Sequence, residues 1–377
     1  MQEAYILAAV RTPIGVGKPG GALADFAPVD LSAAVLSAAV EQVGVEPGQV
    51  DDVIWGCVTP IGDQGANIAR LSVLKAGFPV HVPAVTINRM CGSSQQAVHF
   101  AAQAILSGDM DLVIAGGTEM MSHQKIGADW PDQWPEDFPY DLVHQGISAE
   151  LMAAKWKLDR ETLDDYAYQS HWRAMQAIEN GYFDSQIIPL KGKEGNYVKT
   201  DQGVRIPPNR EKMGSLSPVF KQDGVITAGN ASQISDAAAA VVIGSPQIVG
   251  RYNLIPRARI IARVAIGSDP VLMLDGPIAA TKLVLERAGL DLSNMDVIEI
   301  NEAFASVVLA WQKEHGADME RVNPNGGAIA LGHPLGATGA ILMTKLLYEL
   351  ERIGGKFGLQ TMCIGHGMAT ATVIERL

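Results

Sequence analysis

The chain has 377 residues, 47% hydrophobic and 19% charged, which is long enough for two or three domains and too balanced for a disordered or fibrous protein. A formal net charge of -12 argues against a nucleic-acid surface. Three scattered cysteines (Cys57, Cys91, Cys363) are too few for a disulfide framework, and none has metal-ligand spacing with the eight histidines.

No run reaches 18 uninterrupted apolar residues, so no membrane span is expected, and the reading is a soluble cytoplasmic protein. The chain opens with a strand-like segment, Glu3 to Val10. Gly15, Gly17 and Gly20 then form a G-x-G-x-x-G pattern. A dinucleotide fingerprint needs its last glycine inside a helix, whereas Pro19 precedes Gly20 and helical periodicity starts only near Leu31. No nucleotide redox cofactor is expected. Leu31 to Val43 is an alanine-rich helix stopped by Gly44, and Val50 to Cys57 reads as a strand.

Next, Ala84 to Ala97 reads as a short strand, a tight turn and the polar opening of a helix that runs to about Leu106. Cys91 sits in the turn. Unpaired backbone N–H groups and the helix dipole there favour a thiolate, below the free thiol pKa of about 8.5. The alternative is a small buried hydrophobe, which is what most free cysteines are. Leu112 to Ala115 closes the block as a buried strand. Strand–helix alternation with nearly continuous apolar strands predicts a mostly parallel sheet covered by helices on both faces.

Residues 117 to 245 break this rhythm and read as an insertion. Trp130 to Pro139 is rich in proline and aromatics, an excursion suited to packing against another subunit. Asp159 caps an amphipathic helix that runs to Asn180. Arg205, Arg210, Lys212 and Lys221 concentrate positive charge in an acidic chain. From Pro256 the alternation resumes and repeats the first block. Ala33 to Trp55 aligns with Ile278 to Ile300 without a gap, Gly44 falling on Gly289 and Asp51 on Asp296. A duplication explains why helix stop and strand coincide. The expected units are residues 1–116, an insertion at 117–245 and residues 246–377.

The second half holds three unusual segments. Asn301-Glu302-Ala303-Phe304 follows directly on a strand, where α/β proteins place ligand-binding residues. His333 lies in a glycine-rich loop, Gly326 to Gly339, without the G-K-[ST] ending of a phosphate-binding loop. Cys363 ends another strand, before Ile364-Gly365-His366-Gly367. Taken singly, Asn301 could be a cap, His333 a satisfied loop histidine and Cys363 core packing.

Together with Asn88-Arg89-Met90-Cys91-Gly92-Ser93 and Gly229-Asn230-Ala231-Ser232, these segments resemble the thiolase family over essentially the whole chain. The resemblance implies a duplicated five-layered α-β-α-β-α core, an inserted loop domain that holds coenzyme A, and a homodimer or homotetramer. It implies that Cys91 is the nucleophile that becomes acylated. His333 would take its proton and later help hold a thioester oxygen. Cys363 would move the α-proton of the acetyl unit, and Asn301 would hold a water in one oxyanion hole. The backbone N–H groups of Cys91 and Gly365 would form the other. His144 and Ser232, with Phe220 and Ala228, would contact the pantetheine, and the basic loop would meet the nucleotide end. Coenzyme A enters as co-substrate, with no metal. The activity implied is cleavage of a 3-ketoacyl-CoA by CoA to acetyl-CoA and a shortened acyl-CoA, or the reverse condensation.

The chain departs from the family pattern at Gln145, where methionine is common, at Gln233-Ile234-Ser235, and at His366. These departures leave acyl preference open, and His366 is expected to point away from the site. Two rival readings remain. One is a decarboxylating condensing enzyme, which generally has histidine in place of the second cysteine. The other is an acyl-CoA-binding protein with a decayed site.

Overall fold

The computed structural model describes residues 3–192 and 195–377. The first half runs β1 (Tyr5–Arg11), α1 (Pro28–Val43), β2 (Asp52–Gly56), α2 (Ile68–Lys75), β3 (Ala84–Ile87), α3 (Ser93–Ser107) and β4 (Leu112–Met120). After α4 (Gln145–Lys155) and α5 (Arg160–Glu179) the chain returns to the sheet as β5 (Ser235–Gly244). The second half runs β6 (Ala258–Gly267), α6 (Gly276–Ala288), β7 (Val297–Ile300), α7 (Ala305–His315), α8 (Thr338–Ile353), β8 (Phe357–Ile364) and β9 (Met368–Arg376). Helix boundaries follow local chemistry. Proline opens α1, and Gly44 ends it in the left-handed conformation (φ 79°) that a side chain would resist. Gly289 ends α6 in the same way (φ 65°), as the repeat predicts, and Asp159 caps α5 by accepting from the Thr162 N–H.

The strands form one ten-stranded sheet in the order β7-β8-β9-β6-β1-β5-β4-β2-β3, with a short strand at Gly15–Val16 beside β5. The expected mostly parallel sheet is not what forms. Only β2–β3, β2–β4 and β7–β8 pair in parallel; the remaining neighbours run antiparallel. The reason is burial: β5 is buried at every residue, so its unbroken apolar run could not reveal strand direction. The order β1-β5-β4-β2 in the first half has the same pairing as β6-β9-β8-β7 in the second, β3 being an extra edge strand of the first, and two residue pairs between β1 and β6, Tyr5↔Arg259 and Ile6↔Ala258, join the halves. The glycine-rich loop after β1 leads into Gly15–Val16, and the next helix begins only at Pro28.

Alternation along the strands divides the apolar core into layers. Ala237, Ala239, Val241 and Ile243 of β5 face a central core with Ala97, Val98 and Ala101 of α3 and Ile341, Leu346 and Leu347 of α8. Ala238, Ala240 and Val242 point the other way, onto Leu31, Val35 and Leu36 of α1. On the far side Ala369, Ala371 and Val373 of β9 pack with Ala280 and Val284 of α6. The stack is therefore helix, sheet, helix, sheet, helix. β5 belongs to this stack, so the chain outside the sheet ends before Ser235, earlier than the expected boundary at 245. Within that excursion α4 and α5 pack on α7 through Ala149, Met152, Leu163 and Ala167 against Phe304, Val307 and Ala310.

A buried ion pair ties the excursion to the sheet. The Arg11 guanidinium at the end of β1 meets Asp201 in bidentate fashion (Nη1 to Oδ1 2.7 Å, Nη2 to Oδ2 2.9 Å) and donates to Gln186 at 2.9 Å. Asp201 Oδ1 also accepts from the Ile14 N–H at 2.8 Å. Neither side chain has solvent exposure, so removing one partner strands the other's charge. Asp201→Ala is expected to destabilise the protein by about 3–5 kcal/mol. Urea titration of both proteins checks this; an unchanged midpoint would show that Arg11 finds another partner.

Candidate active site

Cys91 lies in the turn between β3 and α3, and side chains lock that turn. Asn88 accepts from the Met90 N–H at 2.7 Å and donates to the Val58 carbonyl at 2.9 Å. Ser93 accepts from the Arg89 N–H at 2.9 Å and donates to the Met90 carbonyl at 2.6 Å. Met90 takes a left-handed φ of 46°. A Cβ at Gly92 would run into Ile364, so only glycine lets this turn close onto the end of β8. That close approach brings the Gly365 N–H to the Cys91 sulfur, where it joins the N–H of Cys91 itself. The thiol pKa is not lowered as expected at a helix start. Burial outweighs the two N–H groups and pushes it up to about 11.

His333 precedes α8. Gly332 turns the chain at φ 121°, packed where a Cβ would strike Ser235. The His333 N–H then donates to the Gln233 carbonyl at 3.0 Å. Thr338 Oγ1 donates to the Pro334 carbonyl at 2.8 Å, so at 2.6 Å it accepts from His333 Nδ1–H. This assigns the tautomer: Nε2 carries the lone pair and faces the Asn301 amide nitrogen at 3.3 Å. Burial pushes the imidazole pKa down to about 4, so it rests neutral. Asn301 extends β7, its N–H bonded to the Thr361 carbonyl at 3.0 Å; its buried Oδ1 has no partner among the described residues. Glu302 beneath it accepts from Tyr166, Ser170, Asn323 and the Ile329 N–H, which fixes this loop.

Cys363 sits at the end of β8, 1% exposed, its thiol pKa raised by burial and by the neighbouring Cys91. The structure thus gathers Cys91, Gly365 and Cys363 on one side, and His333 with Asn301 on the other. Two cavities adjoin here. Cys91, Gly365 and His366 line one of about 890 Å³, and His333, Phe220, Ala228 and Ser232 line one of about 320 Å³. Met121, His144, Gln145 and Leu335 border both. His144 caps α4, accepting from the Gly146 N–H at 3.1 Å, and stacks on Phe220 with ring centroids 5.1 Å apart.

In the basic loop Arg210 is engaged by Asp165 at 2.6 Å. Arg205 and Lys212 line a separate cavity of about 530 Å³ that also reaches Ala228. Among the described residues no group of three or more His, Cys, Asp or Glu side chains could hold a metal.

Sequence reasoning missed three contributors. Glu119 in β4 accepts from the N–H groups of Val58, Thr59 and Gly336 and pins the loops on either side of Cys91 and His333; burial raises its carboxyl to about 7. A lone acid in an apolar strand was the available signal. Thr338 sets the His333 tautomer, and only its position five residues on hinted at it. Third, the Trp130–Pro139 excursion folds over this site: Trp130 and Trp134 lie 5.4 and 5.8 Å from the His366 ring, and all three line the larger cavity. His366 therefore points into the site, not away from it.

Comparison with known proteins agrees with this geometry. Residues 4–247 match the thiolase N-terminal domain and residues 254–376 the thiolase C-terminal domain. A steroid 3-ketoacyl-CoA thiolase of Mycobacterium tuberculosis is 50% identical, over 100% of this chain and 95% of its own length. A beta-ketoadipyl-CoA thiolase of Acinetobacter baylyi is 44% identical over the full length of both. The crystal structure of the Bacillus anthracis acetyl-CoA acetyltransferase superposes with a TM-score of 0.92 at 38% identity, covering 100% of this chain and 99% of that one. With both halves matched and these relatives aligned over nearly their whole length, the chain belongs to the thiolase family.

Proposed function

We propose that this protein is a CoA-dependent acyltransferase that cleaves a 3-ketoacyl-CoA through an acyl-Cys91 intermediate, or runs the reverse condensation. The observation that carries this is the pair of neighbouring buried thiols, Cys91 under two backbone N–H groups and Cys363 beside it, with a neutral histidine whose Nε2 carries the lone pair, held only by a long 3.3 Å contact from the Asn301 amide. Burial opposes charge on either Cys91 or His333 alone. Moving the thiol proton to His333 Nε2 charges both at once, and the resulting ion pair offsets the separate penalties. The thiolate attacks the keto carbon, and the bond between the α-carbon and that carbon breaks. Cys363, held protonated by burial, gives its proton to the enolate and releases acetyl-CoA. It then takes the proton of incoming CoA, whose thiolate displaces the acyl group from Cys91; His333 returns the first proton.

The N–H groups of Cys91 and Gly365 would stabilise the oxyanion at the carbon bonded to Cys91, and His333 with an Asn301-bound water the thioester enolate. His144, Phe220, Ala228 and Ser232 would line the pantetheine path, with Arg205, Lys212 or Lys221 meeting the nucleotide. A second thiol also separates this reading from decarboxylating condensation, in which no group has to move an α-proton. Edge strand β3 and its flanking helices expose Leu71, Leu74, Val85 and Phe100, which supports association with a second copy. Among the described residues no helix is long and apolar enough to cross a membrane, and three free cysteines support a cytoplasmic location.

Cys91→Ser is expected to abolish thiolysis of acetoacetyl-CoA, and Cys363→Ala to slow it by about 100-fold or more while Cys91 still takes up label from radiolabelled acetyl-CoA. Wild-type turnover by the serine variant would remove Cys91 from the mechanism. A pH series tests the base. Because the thiolate is the nucleophile and the thiol pKa is raised, iodoacetamide should alkylate Cys91 near neutrality only with help from His333. His333→Ala should lower that rate by about tenfold or more and move its rise towards pH 11. Equal profiles would mean that His333 does not take the proton.

A further inference from the structure

The larger cavity is much bigger than the smallest acyl group of the proposed reaction needs. Its volume of about 890 Å³ corresponds to roughly thirty waters at about 30 Å³ each, whereas an acetyl unit on Cys91 adds three heavy atoms. Of the pantetheine residues, Phe220, Ala228 and Ser232 line the adjoining smaller cavity and His144 borders both, which leaves the end of this space at Trp130, Trp134 and His366 on the acyl side of Cys91. Its walls are mostly apolar, and the apolar side chains are of two kinds. Met90, Met121 and Met273 are flexible and adapt to irregular shapes, whereas Trp130 and Trp134 present rigid flat faces. Both tryptophans stay about 40% exposed, so the fold leaves apolar ring surface uncovered beside the nucleophile. Flat walls favour a rigid ring system over a straight chain, which must lose rotor freedom to lie against them.

Polar groups interrupt the wall at Lys18, Ser122, Lys125, His144, Gln145 and His366, and of these His366 is the one framed by both tryptophans. His366 forms the turn between β8 and β9 in a left-handed conformation (φ 61°), with its ring framed by the two tryptophans. Its Nδ1 is buried and has no hydrogen-bond partner among the described residues. The ring lines the cavity, and turning it about χ2 presents Nδ1 to a ligand that supplies the missing partner.

We propose that the acyl group this enzyme transfers is bulky and ring-bearing, with its apolar face on Trp130 and Trp134 and an oxygen substituent bonded to His366 Nδ1. This inference rests on the thiolase reading and names the substrate class of that site. Trp130, Trp134 and His366 are its specificity residues and take no part in bond making.

The test compares kcat/KM for three substrates: acetoacetyl-CoA, a 3-ketoacyl-CoA bearing a decalin ring on its keto carbon, and the same compound with a hydroxyl on the distal ring. Wild type should favour the hydroxylated ring over acetoacetyl-CoA by about tenfold or more, and the Trp130→Ala/Trp134→Ala double variant should lose most of that ratio. His366→Leu should lose the preference for the hydroxylated over the plain ring. His366→Asn should keep it, because asparagine tolerates the left-handed backbone and supplies a similarly placed amide. Equal wild-type kcat/KM for ring and acetoacetyl substrates overturns the inference while leaving the thiolase reading intact. So does a double variant that changes oligomer mass but not the ratio, which would make the aromatic segment a subunit contact. Wild type that cleaves none of the three sinks both.

Discussion

The contact on which the site depends is the crossing of α3 and α8 at their first turns. The Ala340 N–H donates to Ser94 Oγ at 3.0 Å, and Gly339 lies so close to Gln95 that a Cβ there would collide with its backbone. These are corresponding helices of the two halves, buried back to back between two parts of the sheet. Each is preceded by a loop carrying one member of the site, Cys91 before α3 and His333 before α8. Bringing the two helix starts together therefore brings the two loops together. Glu119 fastens the arrangement from the side by holding Val58 and Thr59 of one half and Gly336 of the other. Duplication here supplies two similar loops at one place, which can then carry different chemistry.

Water exclusion follows from that location. Cys91, His333, Asn301 and Cys363 are all buried, and burial drives every one of the ionisable groups among them towards its neutral form. A single thiolate is disfavoured there; the proposed proton transfer avoids that penalty because charge would appear as a pair and under fixed N–H donors. A cysteine activated only by a helix start would be a permanent thiolate open to alkylation and oxidation. Burial keeps the thiol at rest, and in the proposed mechanism its activation waits on a histidine whose tautomer Thr338 fixes. The left-handed Met90 and Gly332 belong to the same economy, since both bend the chain so that backbone N–H groups and the imidazole face inwards.

The core and the cavity wall come from different parts of the chain. The layered stack is built from strands and helices that repeat between the halves, while Trp130, Trp134, His144 and Phe220 come from the excursion between β4 and β5. The excursion is fastened to the stack through Arg11–Asp201, through Tyr166 and Ser170 on Glu302, and through the packing of α4 and α5 on α7.

The sequence by itself determined what short-range chemistry determines. Glycine stops ended α1 and α6 where they were expected, Asp159 capped α5, and the gapless match of Ala33–Trp55 with Ile278–Ile300 exposed the duplication. The order of the segments around Cys91, Asn301, His333 and Cys363 identified the family. Tertiary structure decided whatever depends on which surfaces meet. Strand direction was hidden because a strand buried on both faces reads the same either way. The Cys91 pKa was misread because a helix start is a local feature, whereas burial is set by chain hundreds of residues away. Glu119 and Thr338 act through partners or geometry that only the fold brings into reach, and no spacing rule reveals that Trp130 and Trp134 close over His366. Local periodicity reports the turns and faces of single elements; the dielectric around a thiol and the shape of a cavity belong to the assembled molecule.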